Sequence, residues 1–167
     1  MNSVNLESMA VSVVRAAELI RKGNYLVIAG DESVLSGLPS GNWVAGTIPY
    51  FMTSEGGATD TQSVFVTDIT GFDVNLPMIK LYDIDTIDQI ASDAPIHGFT
   101  ILIMPSSSAV HLSYANEAPN YPRMYFSPIM GWISGVHLND IGNQTPKVAY
   151  GPSRNLFADK AIAIQIG

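Results

Sequence analysis

Apolar residues recur along the chain with two different spacings, which predict a mixture of helices and strands. Near the N-terminus they fall three and four residues apart, at Leu6, Met9, Ala10, Val13, Val14, Ala17 and Ile20. This spacing places one apolar stripe on a helix, which Ser3 or Asn5 can cap and Gly23 can end. The pattern therefore predicts a helix over residues 6–22.

Short apolar runs predict the strands of a sheet. Residues 25–29 and 99–104 are continuous apolar runs, which are typical of fully buried strands. Further strands are expected at 43–47, 63–69, 78–82, 131–138, 147–150 and 158–166. Strands 43–47 and 63–69 flank a Gly-rich turn at 54–61, so we expect them to pair as an antiparallel hairpin.

Capping signals predict two shorter helices in the second half of the chain. Residues 86–89 (Thr-Ile-Asp-Gln) fit a capping box for a helix through Ala91. Residues 105–108 (Pro-Ser-Ser-Ser) can cap a helix over Ala109–Glu117, which Pro119 ends.

Both tryptophans of the chain lie in similar stretches. Residues 43–46 (Trp-Val-Ala-Gly) and 132–135 (Trp-Ile-Ser-Gly) each follow a buried strand and precede a strand that closes their half. We therefore predict a single α/β or α+β domain with a mixed, largely antiparallel sheet and about three helices. Two pseudo-repeated α-β-β-β units, at about 1–75 and 76–167, would share this sheet; a chance match of two short strands is the alternative.

The same stretches resemble the N-terminal part of FIST-type sensory domains, which have a glycine-containing, small-residue strand after a buried strand. The matching pieces are 43–47 with 64–69, and 133–135 with 157–166. The resemblance implies the sensing of a small ligand, with amino acids among the candidates. It covers about half of the chain and does not extend to the C-terminal half of FIST-type proteins, so it does not imply an independent sensor.

The composition indicates that the surface of the protein carries few charges. Hydrophobic residues make up 47% of the chain and charged residues 14%, and the mean hydropathy is +0.20. Such a chain must expose many uncharged groups, which favours a subunit interface or an apolar pocket. We expect a homo-oligomer, most simply a dimer, and Tyr50, Phe51, Tyr114, Tyr121, Tyr125 and Phe126 are candidates to line the interface or the pocket.

The charge balance argues against several classes of partner. The net charge of −7 repels phosphate backbones, and no Lys/Arg cluster offsets it, so nucleic acid is not expected as a partner. No apolar run is long enough to predict a membrane span. The absence of cysteine suits a cytoplasmic, bacterial-type protein and excludes thiolate chemistry.

The sharpest candidate for chemistry is the serine run Ser106, Ser107 and Ser108, which lies between a strand and a helix. The free N–H groups of a helix start can hold a carboxylate or phosphate, although one of these serines can simply be the N-cap. His111 lies one helical turn further on, within reach of a serine hydroxyl. His137 shares a strand face with Gly135. The three histidines lack the close spacing of metal ligands, so neither a metal nor a cofactor is expected.

The remaining candidates are an acidic turn and strand glycines. Asp31 follows a buried strand, where it can bind an amine or form a solvated turn. The full candidate ligand-binding set is Gly30, Asp31, Gly46, Thr47, Ser106, Ser107, Ser108, His111, Ser134, Gly135 and His137. The leading hypothesis is a non-catalytic domain that binds a small anionic or amino-acid ligand. The alternatives are a hydrolase-like enzyme using Ser107 or Ser108 with His111 and Asp31, and a structural subunit of a larger assembly.

Overall fold

Two β-sheets lie face to face, with helices on both outer sides, in a computed structural model that describes residues 7–72 and 76–167. The first half of the chain contains β1 (Glu7–Ser12), α1 (Val13–Arg21), β2 (Leu26–Gly30), α2 (Glu32–Leu35), β3 (Trp43–Thr47), β4 (Tyr50–Thr53), β5 (Gly56–Thr59) and β6 (Ser63–Asp68). The second half contains β7 (Met78–Tyr82), α3 (Ile90–Asp93), β8 (Phe99–Pro105), α4 (Ala109–Glu117), β9 (Ile129–Ser134), β10 (Val148–Tyr150), β11 (Asn155–Phe157) and β12 (Ala161–Ile166). Short 3-10 turns lie at Ile87–Gln89, Ala118–Asn120, Met124–Phe126 and Leu138–Asp140.

The strands form a six-stranded sheet, a four-stranded sheet and a separate hairpin. The larger sheet has the order β1-β6-β2-β3-β10-β11, the smaller has the order β7-β12-β8-β9, and β4 pairs only with β5. Among the described strands, β2–β3 and β8–β9 pair in parallel and all other pairs are antiparallel. The mixed, largely antiparallel α/β architecture predicted from the sequence is therefore present.

The two halves of the chain repeat one topology. Strands β1-β6-β2-β3 have the same order and relative directions as β7-β12-β8-β9. In both halves a helix follows the first strand, and a hairpin is inserted before the closing strand. The expectation that both units share one sheet is wrong: the four repeated strands of each half form separate sheets, which stack face to face, and β10 and β11 of the second half extend the larger sheet.

Three apolar clusters hold these layers together. The central cluster lies between the sheets and joins Val27, Val44 and Val148 of the larger sheet to Ile103, Ile162, Ile164 and Ile166 of the smaller one. On the outer side of the larger sheet, Ala16 and Ile20 of α1 pack over Leu26, Ile28 and Trp43. On the outer side of the smaller sheet, Ile90 of α3 and Val110 of α4 pack over Leu102 and Met104.

The helix predicted over residues 6–22 is only half correct. Residues 7–12 form β1, which pairs antiparallel with β6, and the helix begins at Val13. The Ser12 hydroxyl caps it by accepting a hydrogen bond from the Arg15 N–H, at 3.2 Å. Pairing with β6 therefore overrides the helical spacing of this segment. Leu6 and the proposed caps Ser3 and Asn5 lie outside the described residues.

The strand pairing expected from the sequence also differs. Strand β3 pairs with β2 and β10, not with β6, so the expected hairpin does not form. The segment after β3 instead forms its own hairpin, β4–β5, and β5 lies within the predicted turn at 54–61. Strand β9 ends at Ser134 rather than at residue 138, and the last strand begins at Ala161 rather than at 158.

The two tryptophans are not equivalent in the repeat. Trp43 packs on the outer side of its sheet under α1, where its Nε1–H donates to the Pro39 carbonyl at 2.9 Å. Trp132 faces the central core between the sheets. Neighbouring residues of a strand face opposite sides of the sheet. The sequence alignment that matches Trp43 with Trp132 is therefore shifted by one residue from the structural repeat.

Gly46 allows the two sheets to approach closely at the position where the Trp132 ring lies between them. A Cβ at this position would lie 2.6 Å from the Trp132 ring and 2.7 Å from an Ile103 methyl group. Both distances are too short for real contacts, so any larger residue must push the sheets apart.

We therefore predict that Gly46→Val lowers the free energy of unfolding by about 1–3 kcal/mol through overpacking. Chemical denaturation measures this change. Gly57→Val is the matched control, because Gly57 is exposed on β5 and a Cβ added there would have no neighbour within 4 Å. Equal unfolding midpoints for both variants would show that the sheets do not meet at Gly46.

Candidate functional site

The carboxyl ends of β3 and β9 meet at Thr47. The Thr47 carbonyl accepts a hydrogen bond from the Gly135 N–H at 2.7 Å, which links the two sheets. The Thr47 N–H donates to the Lys147 carbonyl, and its hydroxyl accepts from the Lys147 N–H, both at 2.9 Å. Thr47 thus joins β3, the end of β9 and the start of β10, and its buried side chain is structural in this arrangement.

The serine run uses most of its hydrogen-bonding groups internally. The Ser106 N–H donates to the Ser134 carbonyl at 3.1 Å, and the Ser107 N–H donates to His111 Nδ1 at 3.1 Å. Ser108 is the N-cap of α4: its hydroxyl accepts from the His111 N–H and donates to the Pro105 carbonyl. These contacts occupy the backbone N–H groups of Ser106, Ser107 and His111, which leaves fewer donors for an anion at the start of α4.

A cavity of about 340 Å³ brings part of the predicted set together. Ser106, Ser107 and Gly135 line it, together with Leu138, Ile141 and Gln144 of the loop that follows β9. Ser134 lies beside Gly135, and its buried hydroxyl has no hydrogen-bond partner among the described residues. Three residues of the predicted set, Ser106, Ser107 and Gly135, therefore lie around one cavity.

The other predicted site residues lie elsewhere. Asp31 caps α2 by accepting from the Ser33 N–H and hydroxyl, and it borders an open hollow where Glu32 pairs with Lys147. Gly30 faces Val34 and Val64, and Gly46 faces the core between the sheets. The predicted residues thus form separate groups rather than one pocket.

His137 positions the hairpin rather than the serine run. Its ring stacks on Tyr50 with centroids 5.7 Å apart, and its Nδ1 accepts from the Asn139 N–H. Tyr50 Oη accepts from the Leu138 N–H at 2.9 Å. These contacts hold the start of β4 against the end of β9.

A mainly apolar space lies between that hairpin and β9. This apolar cleft has a volume of about 530 Å³. Its floor is Val27, Ala29, Phe65 and Thr67 of the larger sheet, one wall is Ile48, Tyr50, Phe51 and Met52, and the other wall is Trp132 and Ile133. A concave, mainly apolar space of this size with a few polar groups is typical of small-molecule sites.

The chain between β3 and β4 explains why the cleft is open. Only residues 48–49 connect these strands, and Pro49 has no N–H to offer a neighbouring strand. The Ile48 N–H donates to the Gly30 carbonyl, and the Pro49 carbonyl accepts from the Asp60 N–H. The hairpin therefore crosses over β6, where Phe51 contacts Phe65 at 5.9 Å between ring centroids, and it leaves β9 uncovered.

The hydrolase-like alternative lacks the necessary contact between a nucleophile and a base. His111 Nδ1 accepts from the Ser107 backbone, and neither Ser107 nor Ser108 has its hydroxyl hydrogen-bonded to the imidazole. Asp31 is engaged in its own cap. The described residues also hold no group of three or more potential metal ligands, and none of their helices is long and apolar enough to cross a membrane.

A polar chain lies on the outer face of the smaller sheet. Asp93 accepts from Lys80 and from Tyr82 Oη, and Gln165 Nε2 donates to Tyr82 Oη at 3.1 Å. Burial raises the pKa of the Tyr82 phenol, and the Asp93 carboxylate raises it further. Tyr82 therefore stays neutral and joins α3 to β7 and β12.

Sequence reasoning named Tyr50 and Phe51 as pocket candidates but missed the cleft that they line. Ala29 and Thr67 are ordinary strand residues in the sequence. The signal that could have indicated the cleft was the short connection 48–49 with its proline, followed by the apolar run Tyr50, Phe51 and Met52.

Comparisons with known proteins add a family but no activity. A protein-family model described as a family of unknown function (DUF6976) matches residues 11–167. No curated protein and no solved structure matches the chain significantly.

Removing the Thr47 hydroxyl should weaken the junction of the strand ends. We predict that Thr47→Val costs about 1–3 kcal/mol, because the Lys147 N–H loses its partner in a buried position. Urea denaturation measures this loss, with Thr59→Val on the exposed face of β5 as the control. A Thr47→Val midpoint equal to that of the control would contradict the structural role of the hydroxyl.

Proposed function

The chain belongs to the DUF6976 family, whose function is unknown, and we propose that it is a non-catalytic binding domain for a small, mainly apolar ligand. The observation that carries this proposal is the apolar cleft of about 530 Å³ between hairpin β4–β5 and β9. In the other half of the repeat, the equivalent hairpin β10–β11 joins the neighbouring sheet and leaves β3 covered.

The lining of the cleft supports an apolar ligand. Its walls carry aromatic rings and aliphatic side chains, and no ionisable group of the described residues lines it other than the Tyr50 phenol. Burying apolar ligand surface against these walls contributes roughly 25 cal/mol per Å². The Thr67 hydroxyl and the Tyr50 phenol can orient a polar end of the ligand.

An apolar ligand is proposed in preference to the anionic or amino-acid ligand expected from the sequence. The backbone N–H groups of Ser106 and Ser107 and the Ser108 hydroxyl donate within the chain, which leaves fewer donors for a carboxylate. The net charge of −7 also disfavours an anion. A sensory role agrees with the resemblance to FIST-type domains, and we propose a cytoplasmic location because the chain contains no cysteine.

Filling the cleft should abolish binding without unfolding the domain. Ala29 lies on the floor of the cleft and is only partly buried, so Ala29→Phe places a ring in the open space. In a thermal-shift screen of fatty acids, aromatic amides and acylated amino acids, a bound compound at 100 times its Kd should stabilise the wild type by about 2.7 kcal/mol. We predict that Ala29→Phe loses this stabilisation.

Ala115→Phe is the control, since Ala115 is exposed on α4 away from the cleft. It should respond to ligands as the wild type does. Equal responses of wild type and Ala29→Phe, or silence across the whole library, would count against the proposed function.

We also propose that the chain forms a dimer through the apolar residues that precede β9. Tyr125 and Phe126 are 80% and 81% exposed, and residues 124–136 carry no charged side chain. A second copy that covers them would remove a large apolar area from water.

Sedimentation velocity tests this proposal. The double variant Tyr125→Ser/Phe126→Ser should sediment as a monomer at concentrations where the wild type is a dimer. Met52→Ser is the control, because Met52 is 75% exposed on the hairpin instead. A monomeric wild type at tens of micromolar would refute the dimer.

A further inference from the structure

Strand β9 is an open edge beside the apolar cleft, and this edge indicates which ligands fit there. Resting on the proposed function, we propose that the ligand is a short, extended apolar peptide segment that adds to β9 as an antiparallel strand. The peptide would contribute backbone hydrogen bonds to β9 and apolar side chains to the spaces on either side of it.

The ladder with β8 leaves one side of the β9 backbone unpaired. The Pro128 and Ser134 carbonyls both accept hydrogen bonds from the β8 side, from Thr100 and Ser106. Along a strand, the backbone groups of successive residues point alternately towards one neighbouring strand and away from it. Since the Ser134 carbonyl points towards β8, the N–H and C=O of Ile133 point away from β8. Gly135, two residues further on, follows this direction and donates to Thr47. Among the described strands β9 pairs only with β8, so no strand hydrogen-bonds to the outward-pointing backbone groups of Ile133.

The other half of the repeat shows how such an edge is covered. Strand β3 occupies the position equivalent to β9, and β10 pairs with it antiparallel, with Val148 opposite Gly46 and Tyr150 opposite Val44. The segment that covers β3 is thus a short apolar strand. The equivalent segment β4–β5 is turned away over β6, so the matching side of β9 stays open.

Spaces on both faces of β9 match the side chains of an added strand. The apolar cleft lies towards the larger sheet, and a smaller hollow of about 220 Å³ lies on the outer face, lined by Met104, Tyr114 and Met130 among others. Side chains of an extended strand alternate between two faces, so successive apolar residues would enter the cleft and the hollow in turn. Charged peptides are disfavoured, because both spaces are lined by uncharged residues.

A synthetic peptide that copies β10 provides the first test. Acetyl-Val-Ala-Tyr-amide would be titrated into the ¹⁵N-labelled chain and compared with its fully N-methylated form, which keeps the side chains but cannot donate backbone hydrogen bonds. We expect the unmodified peptide to shift the Ile133 amide signal. It should also bind about tenfold more tightly than the methylated form, because the methylated form cannot make one or two of the backbone hydrogen bonds to β9. Equal binding of the two peptides would overturn the inference.

A pair of variants at Ile133 provides the second test. Ile133→Pro removes an outward-pointing N–H, which an edge strand tolerates, together with the isoleucine side chain, whereas Ile133→Ala shortens the side chain and keeps the N–H. Peptide binding should weaken about tenfold more in Ile133→Pro than in Ile133→Ala. If Ile133→Pro does not fold, the comparison of the two peptides on the wild-type chain still decides the question.

The outcomes separate this inference from the proposed function. Binding of apolar small molecules that Ala29→Phe abolishes, without any preference for the unmodified peptide, would leave the cleft as a ligand site and refute strand addition. A dimer that Ile133→Pro converts to a monomer would assign the β9 edge to a second copy and would also refute it. Silence of every ligand and peptide would contradict both proposals.

Discussion

The hydrogen bonds of Thr47 fix where the two sheets of this protein meet. Its N–H and hydroxyl bind the backbone of Lys147, and its carbonyl accepts from Gly135, so the ends of β3 and β9 and the approach to β10 converge on one buried residue. Gly46, next in sequence, brings the sheets into contact by leaving room for Trp132. The stacking of the two repeats therefore depends on two adjacent residues of β3: Gly46, which is small, and Thr47, whose N–H, carbonyl and hydroxyl are all hydrogen-bonded.

This junction also determines why the two repeats differ. After β9 the loop 135–147 is long enough to cross to the other sheet, and β10 pairs with β3. After β3 only residues 48–49 separate the strands, and they are held by hydrogen bonds to Gly30 and Asp60. The first hairpin is consequently directed over β6, and an apolar cleft opens beside β9. The difference in connection length thus leaves β9 as an open edge, whereas its counterpart β3 is covered by β10. An open edge beside an apolar space can accept an additional strand.

Much of the fold follows from local sequence signals. Strand β3, strand β7 and helix α4 agree with the prediction to the residue, because each has a continuous apolar run or a clear cap that local physics can decide. Residues 7–12 did not follow local spacing, because their state is set by pairing with β6, which lies far away in the sequence. The two tryptophans that suggested a repeat face opposite sides of their sheets, so they are not equivalent positions in the repeated strand order.

The candidate site was harder to predict. Ser108 and Asp31 have side chains that serve equally well as ligands or as caps, and the structure uses both as caps. The cleft arises from the path of a hairpin, which short-range patterns do not encode, and its floor consists of unremarkable strand residues such as Ala29.

Hydrogen exchange at neighbouring amides of β9 tests the central claim, that this strand is an open edge, most directly. The Trp132 N–H points towards β8 and the Ile133 N–H points away from it. In the free monomeric chain, the Ile133 amide should exchange orders of magnitude faster than the Trp132 amide, because only the latter must await an opening of the sheet. Equal, strong protection of both amides would show that β9 is already covered and is not an open edge.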